Sequence, residues 1–411
     1  MGKKILNRKV MVIFTLWLAY AALYLGRHNM AMVLPVLEQE LGWSPAMSGL
    51  LTGIFFWCYA VGQLINGYLG DRWDAKRIVL FGLMGSCVAN ALFPFVSYFW
   101  LLVLLWAFNG YVQSSGWGPI LKIASHWTEE QERTRVAGFL ATSGIAGFFI
   151  SWAVSGYLLL VVNWYWVFVL PALGMGLVSV WWFIGMDNHP IQEREPVATS
   201  SSGVFGDVME FIKYPGVVGL GLVSLLQGMI RNGIILWTPT LLANTLFGRN
   251  AVLPSLLIPF CGLVGIGIAT RLLLRLKGND RAAISILLGL AGIVALFSIL
   301  ALVCKQPLLL ALAVALTSAL TEGANTILLT SIPLKFAHVG KQSTLAGYLD
   351  FACYVGGALM SVYTGLVLEL GNWNVILLTW AGASLAASLF TSLSKFQTST
   401  EMVRDSSSEA L

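Results

Sequence analysis

"ALYLGRHNMAM", residues Ala22–Met32, sets a guanidinium inside a run that is otherwise soluble in hydrocarbon. "GMIRNG", residues Gly228–Gly233, does the same in the second half of the chain, again with Asn close behind the arginine. An arginine at the centre of a membrane helix costs about 2.5–3.5 kcal/mol on insertion scales. Two of them in matching contexts therefore need a polar cavity, a partner or a ligand, and the match itself predicts a chain of two similar halves.

The rest of the sequence supports a membrane setting. Of 411 residues 57% are hydrophobic and only 10% charged, with 16 Trp and 22 Phe, a balance that no soluble domain of this length needs. A crossing takes roughly 20 mainly apolar residues. Twelve such runs are legible, near Val10–Leu37, Met47–Leu69, Ile78–Val96, Phe99–Ile123, Val136–Leu160, Trp164–Gly185, Val217–Leu242, Val252–Leu274, Ala282–Val303, Leu308–Leu334, Thr344–Leu370 and Trp373–Leu393. The predicted fold class is all-α integral membrane, with twelve transmembrane helices in two pseudo-symmetric six-helix halves. The first run is too long for a signal-peptide core and is followed at once by another, so it is expected to stay in the mature protein. The five cysteines fall within or at the edges of the runs and read as packing residues, without disulfides or a metal site.

Basic residues orient the spans. With the N-terminus in the cytoplasm, nineteen of the 24 Lys and Arg fall in cytoplasmic segments and two, Arg249 and Lys305, outside. Arg27, Lys122 and Arg231 remain within spans. This distribution accounts for the net charge of +5 without nucleic acid. "DNHPIQEREPVATSSSGVFGD", Asp187–Asp207, breaks the alternation of span and short loop and reads as a linker. The expected organisation is a first half at 1–186, a cytoplasmic linker at 187–213, a second half at 214–395 and a cytoplasmic tail at 396–411.

The central chemistry follows from the arginines. A guanidinium stays charged and offers a planar fork that matches two oxygens of a phosphate, a geometry that lysine cannot copy. Tyr24 and Tyr20 precede Arg27 at approximate helical spacing and can add hydroxyl donors or simply pack. Lys122 shares a helix face with His126, toward the cytoplasm, as a candidate phosphate contact or a snorkelling side chain. Asn29 and Asn232 follow the arginines but lie off their faces. Asp350 in "GYLDF" and Glu322 in "LTEGAN" are the rival acids: either can neutralise an arginine, or carry a proton. Trp237, Thr238 and Pro239 suggest a bend in the seventh span. No nucleotide loop or cluster of metal ligands is present in the sequence, so neither enzyme activity nor a cofactor is expected.

"GYLGDRWDAKR" (Gly67–Arg77) resembles the G-x-x-x-D-R loop, followed by basic residues, between spans two and three of the major facilitator superfamily. A degenerate echo, "GIATRLLLRLKGNDR" (Gly267–Arg281), follows span eight, with Arg271 where the motif has Asp. The resemblance implies the major facilitator fold, with Asp71 holding helix ends together on the cytoplasmic side and Arg72 pairing with it or with lipid.

Four segments narrow the resemblance to organophosphate:phosphate antiporters: "YAALYLGRHNMAMVLPVLEQELGWS", "GWGPILKIASHWTEEQERTRVAGF", "RNGIILWTPTLL" and "LAGYLDFACYVGG". In that branch two arginines grip the phosphoryl group, a role that the resemblance carries to Arg27 and Arg231. Gln63 stands where the glycerol-3-phosphate carriers resemble each other in a lysine, and Ser143 where they have a histidine. "FLATSGIAG" (Phe139–Gly147) is more similar to the hexose-6-phosphate and phosphoglycerate carriers.

The implied function is exchange of an organophosphate for inorganic phosphate by alternating access. The expected protein is monomeric, sits in the lipid bilayer of a bacterial inner membrane with both termini cytoplasmic, and binds a small anionic substrate. A proton-coupled organic-anion symporter and a membrane sensor of a sugar phosphate are the alternatives.

Overall fold

The computed structural model describes residues 2–186, 216–335 and 342–393. The expected linker and tail lie outside the described residues, as do the side chains of Asp71 and Arg72. Among the described residues there are helices and short connections but no strand. In order they are α1 (Gly2–Glu40), α2 (Pro45–Arg72), α3 (Ala75–Leu92), α4 (Phe99–Gln113), α5 (Trp117–His126), α6 (Glu130–Val161) and α7 (Trp166–Gly185). Then come α8 (Val217–Leu242), α9 (Leu257–Arg275), α10 (Asp280–Val303), α11 (Pro307–Thr326), α12 (Gln342–Leu368) and α13 (Trp373–Leu393).

Among the described residues, eleven helices are long and apolar enough to cross a membrane. Leu177, Ile184, Leu274 and Leu300 lie on their outer surfaces, which only hydrocarbon solvates without cost. The chain is thus a multi-pass integral membrane protein.

The fourth expected span, Phe99–Ile123, is not one helix. It is α4 and α5, which meet at a turn over Ser114–Gly116. Pro119 has no N–H for the Ser115 carbonyl, and the hydroxyls of Ser114 and Ser115 bond back to the carbonyls of Tyr111 and Val112, each at 2.6 Å. The tenth span also departs from uniform helix. After Thr326 the chain widens into a π turn, Ile327–Ser331, before the short helix Ile332–Lys335. Pro333 deprives the Leu329 carbonyl of its partner there, which favours a shift in hydrogen-bond register. By contrast α8 continues through Pro239 to Leu242.

The chain divides into two compact units, one of Met1–Gly42 with Trp57–Ser201 and the other of Trp43–Phe56 with Ser202–Leu411. In the first unit α1 packs along α6, and Gly147 lets the α6 backbone approach that of Ala21. In the second, α8 packs along α12. A methyl on Gly228 would run into the Cys353 carbonyl, so that seam requires glycine.

The opening turns of α2 belong to this second unit. Thr52 Oγ1 lies 2.6 Å from Ser361 Oγ of α12, and a Cβ on Gly49 would come within 2.7 Å of the Ser361 carbonyl. At the end of that seam Glu369 accepts the Ala46 N–H at 3.1 Å. The Ser44 hydroxyl and this N–H hold the Glu369 carboxyl below its usual range.

Candidate functional site: two arginine centres

Arg27 belongs to the first unit and is buried on α1. Its guanidinium carbon lies 4.7 Å from the ring centre of Tyr24 and 4.5 Å from that of Tyr59 on α2, so two aromatic faces hold the cation. Its Nε donates to Gln113 Oε1 at 3.0 Å. Gln113 is the last residue of α4, so the helix ends immediately beyond the residue that meets Arg27.

The Gln113 amide continues the network. Its Nε2 donates to Ser86 Oγ at 2.9 Å, and that hydroxyl donates to Asn109 Oδ1 at 2.7 Å. Asn109 and Asn90 both donate to the carbonyl of Gly26, next to Arg27, at 3.1 Å. Asn29 then donates to Asn90 Oδ1 at 2.9 Å and to the Val167 carbonyl at 3.1 Å. Buried polar groups of this kind are costly unless paired, and paired they fix one arrangement. Here they fix the backbone on both sides of Arg27.

The other expected residues of this unit take different places. Tyr20 is buried between Tyr24 and Trp117, with ring centres 5.1 and 4.7 Å away. Gln63 is half-buried one turn beyond Tyr59 on α2. Lys122 and His126 are half-buried on the same face of α5, as their spacing predicts. Ser143 is fully buried, and its hydroxyl is directed to the Leu140 carbonyl of its own helix at 2.5 Å.

Arg231 is the centre of the second unit, on α8. Its Nε donates to Glu322 Oε2 at 2.5 Å and its Nη2 to Glu322 Oε1 at 3.4 Å, a two-point pair with α11. Nη1 donates to Asn232 Oδ1 at 3.2 Å. Asn232 in turn reaches the Cys353 carbonyl at 3.3 Å, across a seam where Gly357 leaves it room. Gln227, one turn earlier, donates to the Thr321 carbonyl at 3.1 Å and accepts from Cys353 Sγ at 3.6 Å. Of the two acids left open by the sequence, the structure brings Glu322 to Arg231. Asp350 lies half-buried on α12, one turn before Tyr354.

Sequence reasoning missed Tyr59, Gln113, Asn109, Ser86 and Asn90. A signal was present: Ser86 with Asn90 and Asn109 with Gln113 are polar pairs at four-residue spacing inside apolar runs, hence on one helix face each. Asn29 and Asn232, set aside as off-face, are both engaged, because an Asn side chain reaches neighbouring helices and the adjacent residue alike.

The Major Facilitator Superfamily profile matches residues 16–361. Over 395 residues, 89% of this chain and 87% of the relative, the sequence is 24% identical to the glycerol-3-phosphate transporter of Bacillus subtilis. It is 24% identical over 181 residues to a probable hexose phosphate transport protein of Chlamydia pneumoniae, covering 43% of this chain and 40% of that one. It is 29% identical over 131 residues to the phosphoglycerate transporter protein of Salmonella typhimurium, covering 32% and 28%. The last two matches thus span well under half of those relatives.

Among solved structures, a mutant of the nucleoside transporter NupG superposes with a TM-score of 0.79 at 14% identity, covering 95% of this chain and all of that one. A bacterial homologue of the human lysosomal transporter Spinster gives 0.74 at 16% identity, covering 97% and 98%. At such identities the likeness concerns the fold alone. These relatives and neighbours are transporters, not enzymes.

Proposed function

The chain belongs to the Major Facilitator Superfamily, and from that premise we propose that it is a secondary carrier of an organophosphate, exchanged for inorganic phosphate. The observation that carries this reading is a membrane-embedded arginine in each unit, held by a built polar network. Buried arginines are expensive in a bilayer, and the guanidinium fork suits a phosphoryl group better than it suits any uncharged solute. Relatives named for glycerol 3-phosphate, hexose phosphate and phosphoglycerate support the same substrate class.

Exchange follows from electrostatics. A dianion draws in cationic groups that repel each other in a low-dielectric site, so a loaded carrier crosses its barrier more easily than an empty one. In this reading Arg27 and Arg231 contact the anion and Tyr24 adds a hydroxyl. Lys122, Gln63, Ser143 and Asp350 shape its surroundings, while Asp71 and Arg72 act at the gating loop. The proposed setting is a bacterial inner membrane, with both termini cytoplasmic, two six-helix halves joined by the linker, and one chain as the working unit.

Counterflow in proteoliposomes tests the proposal. Uptake of labelled phosphate esters is expected to require phosphate loaded inside. Uptake driven by a pH gradient alone would replace exchange with proton coupling, and binding without flux would point to a sensor.

A further inference from the structure

We infer that Glu322 is an internal anion, occupying the Arg231 fork until a phosphoryl group displaces it. This deepens the reading above and rests on it. The carboxylate takes the two-point position on Nε and Nη2 that a phosphate with two oxygens would take, at 2.5 and 3.4 Å. Asn232 holds the remaining nitrogen, Nη1, at 3.2 Å. An incoming anion therefore gains the fork only by replacing the carboxylate.

The pair is built for replacement and not for permanent burial. Its side chains keep 18% and 22% of their exposure, whereas Arg27 is 7% exposed as a residue. The two partners come from different helices, α8 and α11, which Gln227 links separately through the Thr321 carbonyl. Gly262 on α9 faces the Glu322 stem, where a Cβ would still sit 3.7 Å from Cγ, so the flank is not packed shut.

Energetics favour the exchange. A buried cation stripped of its partner costs several kcal/mol. Substituting one anion for another keeps Arg231 paired throughout and avoids most of that cost. Glu322 then serves twice: it stabilises the empty carrier, and by returning it helps to expel the ligand. It is a positioning residue that sets affinity through Arg231.

The sign of the Glu322→Gln variant separates this from a purely structural pair. Glutamine keeps the shape and a carbonyl oxygen for Arg231 but removes the competing charge. Binding of inorganic phosphate to purified protein, by calorimetry, is expected to tighten at least about tenfold, or about 1.4 kcal/mol. Counterflow is expected to slow, with both KM and kcat lowered. Glu322→Asp, which retains the charge on a shorter stem, should fall between.

Both variants are first checked for an unchanged elution volume and for a phosphate-free melting curve. Equal or weaker phosphate binding by a folded Glu322→Gln protein overturns the inference while leaving the proposed function intact. Misfolding of that variant passes the decision to Glu322→Asp, whose unchanged or weaker binding overturns it equally. If the unaltered protein binds neither phosphate nor any ester, the functional reading fails, and this inference fails with it.

Discussion

Arg27 and Arg231 share a sequence context but not an environment. The first is gripped by two ring faces and an amide, and the residues that hold it are themselves cross-linked through Ser86, Asn109, Asn90 and Asn29. The second is gripped by one acid and one neighbouring amide. Aromatic faces and an interhelical amide network are not exchanged for a ligand, whereas a carboxylate can be. The lesson is that a repeated motif in two halves fixes where a charge sits, while its surroundings decide whether it is a rigid platform or a replaceable contact.

The most severe way to break this comparison is Arg27→Lys. The charge survives, but the planar fork and its stacking between Tyr24 and Tyr59 are lost. Counterflow is expected to fall at least about tenfold, close to 1.4 kcal/mol. Arg231→Lys should cost less, because an ammonium still pairs with Glu322. Near-normal counterflow in both variants would remove them as phosphate ligands, and a larger loss at Arg231 would reverse the assignment of platform and replaceable contact.

A smaller effect is expected at Gln113→Leu. It removes the acceptor of Arg27 Nε and the donor to Ser86 together, leaving buried groups unpaired at about 1–3 kcal/mol. Thermal unfolding in detergent should start at a lower temperature and counterflow should slow a few-fold. An unchanged melt would mean that the Gln113 amide contributes little to holding Arg27.

How much of this was legible beforehand depends on the kind of signal. Apolar runs and basic loops predict the helices and their orientation, because hydrophobic length and charge act locally and additively, whereas the family is implied by the resemblance of short motifs such as Gly67–Arg77. Two departures, the break at Ser114–Gly116 and the π turn before Pro333, trace to prolines visible in the sequence, although Pro239 also stands in α8 without ending that helix. The arginines stand out because a charge in hydrocarbon is rare. Their partners do not, since Gln113 reaches Arg27 only through the packing of α4 on its neighbours. The choice between Glu322 and Asp350 is likewise tertiary: both acids lie in apolar spans, and only the fold brings one of them to the guanidinium.

The slightest expected effect compares the units at their margins. Each has a carboxylate held below its ordinary range: Glu132 mainly by the hydrogen bond from Lys9, with help from the Glu129 backbone, and Glu369 by the Ser44 hydroxyl and the Ala46 N–H. A lowered carboxyl contributes stability that is fully present above the unfolded value, about 4.3 for Glu, and is lost as pH falls through the folded value.

Between pH 7 and 5 neither should matter. Below about pH 4.3 the melting temperature of the unaltered protein should fall slightly more than that of Glu132→Gln or Glu369→Gln. Salt then tells the two apart. Lys9 and Glu132 form an ion pair, which added salt screens. The neutral donors on Glu369 give salt less to act on. An acid-dependent difference that 0.5 M salt, about a threefold-shortened screening length relative to 0.05 M, erased equally in both variants would show that charge, and not the hydroxyl and backbone donors, holds Glu369 at the end of the α2–α12 seam.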